Sequence, residues 1–467
     1  TQIQLDFTYE VSDMAGLAFG ASYLSEEYEV VEGEPTSYLA GPYANPDPWQ
    51  FCNDDETATA SGLFAIAEGS TLDCANADDP VYTVVGVGSN GFPGYSPAFS
   101  EIYMRTSFAV YAEMDIDITD SLFTQVAVRF EDYEDFGSET VYKVAAKYDF
   151  TDAFGLRASF NTGFRAPTPG QQGTTNVSTR LPNGFPVATG LFPASGPVAK
   201  ALGAQPLRPE TSENFSIGIT GTIGDKLDFT IDYYSIDVED YFSAISTLDV
   251  STTIPGAPES YLDEDGLVDS EAYADALAAR ENFVKLDTAG VVGANSIGGV
   301  FYFTNAYDLG VSGWDLVATY PFEGDKSTTM VTARVGYSEL EFDSDPSAYI
   351  NEEGRYDTIN FDPNLRAILT SMTSWEELSL ILRLNYYGEA SNFQSDNIQD
   401  YGSLLQVDLE ATYLFEEFIV GAGVRNLFDQ YPDEDALSDF CCGRLYPSGS
   451  GASWNGSYYY FKIMKEF

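Results

Sequence analysis

The chain contains no histidine. That removes the Ser-His-Asp and Cys-His arrangements of nucleophilic catalysis and the commonest metal ligand. The remaining thiol chemistry rests on Cys52, Cys74, Cys441 and Cys442. No Cys-x-x-Cys spacing accompanies them, so zinc is a poor fit. In an oxidising envelope, Cys52 and Cys74 are expected to close a disulfide across one long loop. The adjacent Cys441 and Cys442 leave three options open: a vicinal bond, pairing elsewhere, or free thiols. Asp263, Glu264, Asp265 and Asp269 surround Gly266 in a pattern similar to a calcium loop. They lack the full ligand spacing of an EF-hand. A solvated acidic loop is the simpler reading, with Asp263, Asp265 and Asp269 as the calcium candidates beside it. No other metal or cofactor and no catalytic residue is expected, so the chain does not read as an enzyme.

Charge narrows the partners. Lys and Arg total 21 against 73 Asp and Glu, a formal net charge of -52. Such a chain repels nucleic-acid phosphates. Against that background, arginines on inward-facing strand positions stand out: Arg129, Arg157, Arg165, Arg334, Arg366, Arg383 and Arg425. They fit pairing with acidic neighbours such as Glu131 or Asp408, or with a separate part of the protein. Binding of an anionic ligand is the other reading, with Arg157 and Arg165 as its first candidates. Among loop aromatics, Trp49, Phe51, Tyr261 and Trp454 are candidates to touch a ligand or, alternatively, to pack the loops together.

These residues need a scaffold, and the hydrophobic pattern supplies one. In residues 3–11, Ile3, Leu5, Phe7, Tyr9 and Val11 alternate with Gln4, Asp6, Thr8 and Glu10. Period two is the strand signature. The polar set is too hydrophilic for a packed core and fits a wet lumen. The same rhythm recurs, for example in Leu378, Leu380, Leu382 and Leu384 against Ser379, Arg383 and Asn385. It predicts about fifteen strands. Aromatics make up 15% of the chain, with 32 Tyr and 32 Phe, enough for girdles at two membrane interfaces. No apolar run is long enough for a helical span. Short links near 12–16, 119–121, 151–153, 224–225, 323–326, 374–377 and 416–417 alternate with long ones. The long ones fall at 31–101, 132–139, 167–208, 243–297, 344–358, 388–402 and 430–456. Short periplasmic turns and long outer loops are the topology of an outer-membrane barrel. Residues 269–282 are rich in helix formers and predict a surface helix capped by Asp269.

Three stretches carry a family resemblance. Residues 163–170 read GFRAPTPG, residues 207–217 read LRPETSENFSI, and residues 425–431 read RNLFDQY. In sequence and order they resemble the C-terminal barrel of TonB-dependent receptors. Each also has a local reading: Ala166-Pro167 ends a strand, and Asn426 and Asp429 bond nearby backbone where a strand leaves the membrane. The chain ends in YYYFKIMKEF, in which Tyr459, Phe461, Ile463 and Phe467 share one face. This resembles the signal read by the barrel-assembly machinery, although Lys465 stands where the family has an aromatic. The resemblance implies an all-β, antiparallel transmembrane barrel of about 22 strands in the bacterial outer membrane. It also implies an N-terminal plug of ~100–150 residues and a TonB box. Residues 1–467 therefore read as a partial barrel domain, without plug, first strands or signal peptide. A smaller complete barrel is the alternative. The implied function is TonB-driven import of a scarce nutrient: siderophore, vitamin, glycan or peptide. The implied partners are outer-membrane lipid, the TonB complex through the N-terminal region, the assembly machinery and the nutrient itself. A passive porin, or a structural or adhesive barrel, is the alternative function.

Overall fold

The computed structural model describes all residues except 39–46, 48–49, 68, 77–78, 80–93, 96, 98–99, 181–186, 225, 264–265, 292–293, 295–296, 395–396, 437–444, 448–450 and 466–467. Trp49, Asp265, Cys441, Cys442 and Phe467 lie outside the described residues.

One antiparallel sheet of 15 strands forms the wall. It runs from Gln2–Ser12 at one edge to Tyr458–Lys465 at the other, with every neighbour adjacent in chain order once the loop strands are set aside. No helix among the described residues is long and apolar enough to cross a membrane. Every short link predicted from sequence joins wall strands tightly, and the long ones lie at the opposite end, except that the link expected at 132–139 is itself a tight turn of residues 134–136, because the ladder between strands Leu122–Tyr133 and Gly137–Thr151 continues to the Tyr133–Gly137 pair.

Alternation decides which side chains face which way. Ile3, Leu5, Phe7 and Tyr9 are more than half exposed, as are Phe150, Phe461 and Ile463. In water this would be an aggregation-prone surface. Against lipid it is the favourable one. Aromatic rows mark the two edges of this face. Near the short turns, Phe154 and Phe229 flank Gly221, with ring centroids 6.3 Å apart. Towards the long loops, Tyr233 pairs with Trp314 and Trp314 with Tyr337.

The opposite face is polar and cross-linked. Arg157, on strand Phe154–Arg165, reaches Asp232 on strand Leu227–Ala244 across the intervening Gly218. A Cβ at Gly218 would collide with Asp232 Oδ1, so only glycine leaves the crossing open. Tyr111 donates to Asp6 across Gly20 in the same way.

The outer loops carry their own architecture. Segments Asn176–Arg180, Val187–Leu191, Leu248–Asp249 and Ile297–Phe301 form a four-stranded sheet. Helix Ser270–Thr288 packs beside it, longer than the sequence pattern suggests, with Asp269 accepting from the backbone N–H of Glu271 and Ala272. Phe192, Val198, Ile245, Phe283, Leu286 and Val300 belong to the core of this cap. Leu286 and Val300 are fully buried.

Candidate functional site

The outer mouth of the wall is where the sequence motifs converge. Pro167 ends the strand that carries GFRAP, and its carbonyl accepts 2.5 Å from Arg105 Nη1. Arg105 is only 6% exposed and also pairs with Glu26. Its guanidinium lies 5.2 Å from the Tyr133 ring centroid. Burial of a charge is tolerated here because a carboxylate, a carbonyl and an aromatic face all meet it. Arg105 is not among the sequence candidates. It sits in the inward register of Ser107, Tyr111 and Glu113, so the alternation alone could have flagged it.

Arg165, the arginine of the same motif, pairs with Glu210 of the RPE motif at 2.6 Å. A second contact at 2.9 Å makes the pair two-pronged. The Phe242 ring lies 4.7 Å from the guanidinium. Glu210 also accepts from Phe242 N. Two motifs far apart in sequence therefore meet at one node, which ties the roots of the 166–209 and 245–302 loops together. Arg157 sits deeper on the inner wall, half exposed to the lumen, with its Asp232 partner. Arg129 pairs with Glu131 at 2.7 Å. Arg366 lies over the Tyr387 ring at 5.0 Å. Arg383 stands directly opposite Asp408 in the strand register.

The third motif closes the last long loop. Asn426 takes a positive φ of 52°. Its side chain donates to Gln430 O and accepts from Gln430 N. Asp429 accepts from Ser457 N across the loop. Both residues act on backbone where the strand ends, as their types suggest.

Loop candidates occupy three different segments. Phe51 precedes Cys52, which is disulfide-bonded to Cys74 with a Cα–Cα separation of 5.5 Å. The Phe51 carbonyl accepts from Thr59 N just before helix Ala60–Ala67. Tyr261 stacks edge-on to Tyr273 at 5.4 Å. These two stretches are built alike. The bridge Cys52–Ala58 matches Leu262–Val268, and Thr59 N bonds Phe51 O as Asp269 N bonds Tyr261 O. Glu56 and Gly266 both hold positive φ at the tips. Asp263 and Asp269 are spent on this geometry, accepting from Leu267 N and from the helix start respectively. Trp454 lies on the last loop, 42% exposed. Elsewhere at the outer end, Phe361, Tyr387, Tyr401, Leu404, Pro432 and Asp433 line a small crevice. Burial pushes the Tyr401 hydroxyl up to about 12.

Comparison with known proteins agrees with this geometry. The family model described as TonB dependent receptor-like, beta-barrel, matches residues 1–427. The vitamin B12 transporter BtuB of Vibrio cholerae is 38% identical over 48 residues, which are 10% of this chain and 8% of that protein. Among solved structures, the siderophore receptor PirA from Acinetobacter baumannii superposes with a TM-score of 0.56 at 14% identity. The match covers 100% of this chain and 54% of PirA. The FrpB iron transporter from Neisseria meningitidis gives 0.55 at 12% identity, covering 99% of this chain and 55% of that one. The chain thus spans about half the length of the solved structures it matches, and at these identities the likeness speaks for the fold. The chain belongs to the TonB-dependent receptor family of outer-membrane β-barrels.

Proposed function

We propose that this chain supplies wall and outer loops to an importer that captures a scarce nutrient and passes it inward with energy from a TonB complex. The observation that carries this reading is the pairing of a polar, cross-linked inner wall with a folded cap rooted at the Arg165–Glu210 node. The polar wall suits a water-filled lumen of any such barrel, and the folded cap over its mouth is the part that favours capture over an open pore. Arg157 and Arg165, with Phe51, Tyr261 and Trp454 on the loops, are the side chains we assign to ligand contact. Siderophores and vitamins lead the substrate classes, since solved neighbours include siderophore receptors and the curated match is a vitamin B12 transporter. Glycans and peptides are the further classes to screen. TonB engagement would run through an N-terminal region, and insertion through the barrel-assembly machinery reading Tyr459, Phe461 and Ile463.

The test is nutrient-limited uptake in a deletion strain, screened over these classes, with and without a functional TonB. The proposal expects a growth defect on one class that complementation restores only when TonB is present. No uptake defect, together with ion conductance by the purified full-length protein, would replace it with the porin reading.

A further inference from the structure

Polar side chains on the inner wall repeatedly reach across a glycine to a partner two strands away. Tyr111 donates to Asp6 over Gly20 at 2.6 Å, and Tyr460 donates to Glu410 over Gly423. Arg157 reaches Asp232 over Gly218 at 2.6 Å. In each case the missing Cβ leaves the crossing open.

The same layout occurs once more, as a mirror image. Across the wall, Arg157, Gly218, Asp232, Asp315, Gly336 and Arg366 stand each directly opposite the next. Asp315 leans over Gly336 as Asp232 leans over Gly218. Its Oδ1 lies 3.1 Å from where a Cβ on Gly336 would sit, and nothing else beyond the adjoining residues comes within 4 Å of that point. This crossing is not closed. Arg366 turns the other way, onto Tyr387 of the next strand, 5.0 Å from the ring centroid. Among the described residues, neither Asp315 nor Arg366 has an ion pair or a side-chain hydrogen bond. The mirror pair Arg157–Asp232, two strands apart in the same register, shows that an arginine spans this gap.

Tyr387 stands where the wall meets the outer loops. It lines the crevice with Phe361, Tyr401 and Leu404. A Cβ on Gly451, in the last long loop, would lie 3.5 Å from its ring. A guanidinium on an exposed ring and an exposed ion pair have similar, small energies. The two positions open to Arg366 therefore differ in population by no more than about tenfold. Charge sets the balance between them. Asp232 stands directly opposite Asp315, and like charges so placed oppose each other. Arg157 offsets the charge of Asp232, so the pull on Arg366 rises when Arg157 is drawn away.

We propose that Arg366 is a two-position latch. Over Tyr387 it caps the ring at the mouth crevice. Over Gly336 it pairs with Asp315 and uncaps that ring. A group in the lumen that draws Arg157 off Asp232 drives Arg366 onto Asp315. The latch thereby carries the charge state of the inner wall to the root of the last outer loop. It depends on the water-filled lumen of the barrel, not on the identity of the cargo or on TonB.

The test is fluorine NMR of the full-length protein in lipid bilayer discs, with 3-fluorotyrosine placed at position 387 alone. Arg366→Gln supplies the signal of the uncapped ring. The native protein should show both states, as two signals or one averaged between them. Asp315→Asn removes the alternative partner and should cut the uncapped share about tenfold. Gly336→Ala, which fills the crossing, should act in the same direction without changing any charge. Arg157→Gln should move the signal the opposite way, towards the uncapped reference. Native, Asp315→Asn and Gly336→Ala spectra that coincide would overturn the latch. So would a native signal identical to that of Arg366→Gln. An Arg157→Gln spectrum unchanged from native, or shifted with that of Asp315→Asn, would overturn control by the aspartate charges.

Discussion

In the strand Leu378–Tyr387, Leu378, Leu380, Leu382 and Leu384 point away from the protein, and Arg383 and Asn385 point inward. In the cap, Leu286 and Val300 are fully enclosed, while Glu271, Asp275, Glu281, Lys285 and Asp287 of helix Ser270–Thr288 are exposed. The same residue types are thus sorted in opposite senses in one chain. Solvent explains the difference. The cap folds against water and needs an apolar interior. The wall is surrounded by lipid and encloses water, so its hydrogen bonds must close between strands and its polar groups must cross-link inside. Ion pairs such as Arg157–Asp232 are the wall's counterpart of a core, and glycines such as Gly218 make room for them.

The comparison can be broken from either side. Leu286→Ala should cost the cap about 2–5 kcal/mol, because it opens a void in a closed core. Hydrogen exchange would show faster amides in 187–191 and 270–301, with the wall unchanged. Loosening of both regions together would mean they are one unit. Replacing Cys52 and Cys74 by Ser should cost the first long loop about 3 kcal/mol, by restoring freedom to its unfolded state. Its protease sensitivity should rise while the cap resists. On the wall, Leu382→Arg should cost about 2–4 kcal/mol in bilayer refolding, the penalty of a charge facing lipid at mid-depth. Gln125→Arg should be tolerated, since Gln125 faces the lumen and already donates to Asp115.

The junction between the two regions gives smaller effects. Arg165→Gln should weaken the node by about 1–3 kcal/mol, discounted because the arginine is half exposed. The signature is faster exchange at Pro167-flanking amides without loss of the barrel. Asp357, on outer helix Glu352–Asn360, has its carboxyl pushed up by burial, a shift opposed by the N–H it accepts from Phe393. A raised carboxyl favours the folded loop at low pH, and that contribution is lost as pH rises through the folded value. Protection of the Phe393 amide should therefore increase on acidification from neutral pH. Asp357→Asn should flatten that dependence.

Much of the wall was legible because period two is written residue by residue, as in Ile3 to Val11, and short and long links alternate, with the tight outer turn at 134–136 as the exception. The helix after Asp269 was legible from its cap, but not its extension to Thr288, where Phe283 and Leu286 dock on strands distant in sequence. The cap's sheet was not legible. Val187–Leu191 pairs in parallel with Ile297–Phe301, a partner no local pattern announces. The motif arginine was visible in Arg165, whereas its dependence on Glu210 and the role of Arg105 are tertiary facts.

The most direct test of the central claim is a spin-label scan of single cysteines along 379–386 in the full-length protein in lipid bilayers, reading access to oxygen against a water-soluble nickel complex. The account predicts strict alternation, with positions 380, 382, 384 and 386 reached from lipid and 379, 381, 383 and 385 from water. Uniform access, or alternation of the opposite phase, would contradict it.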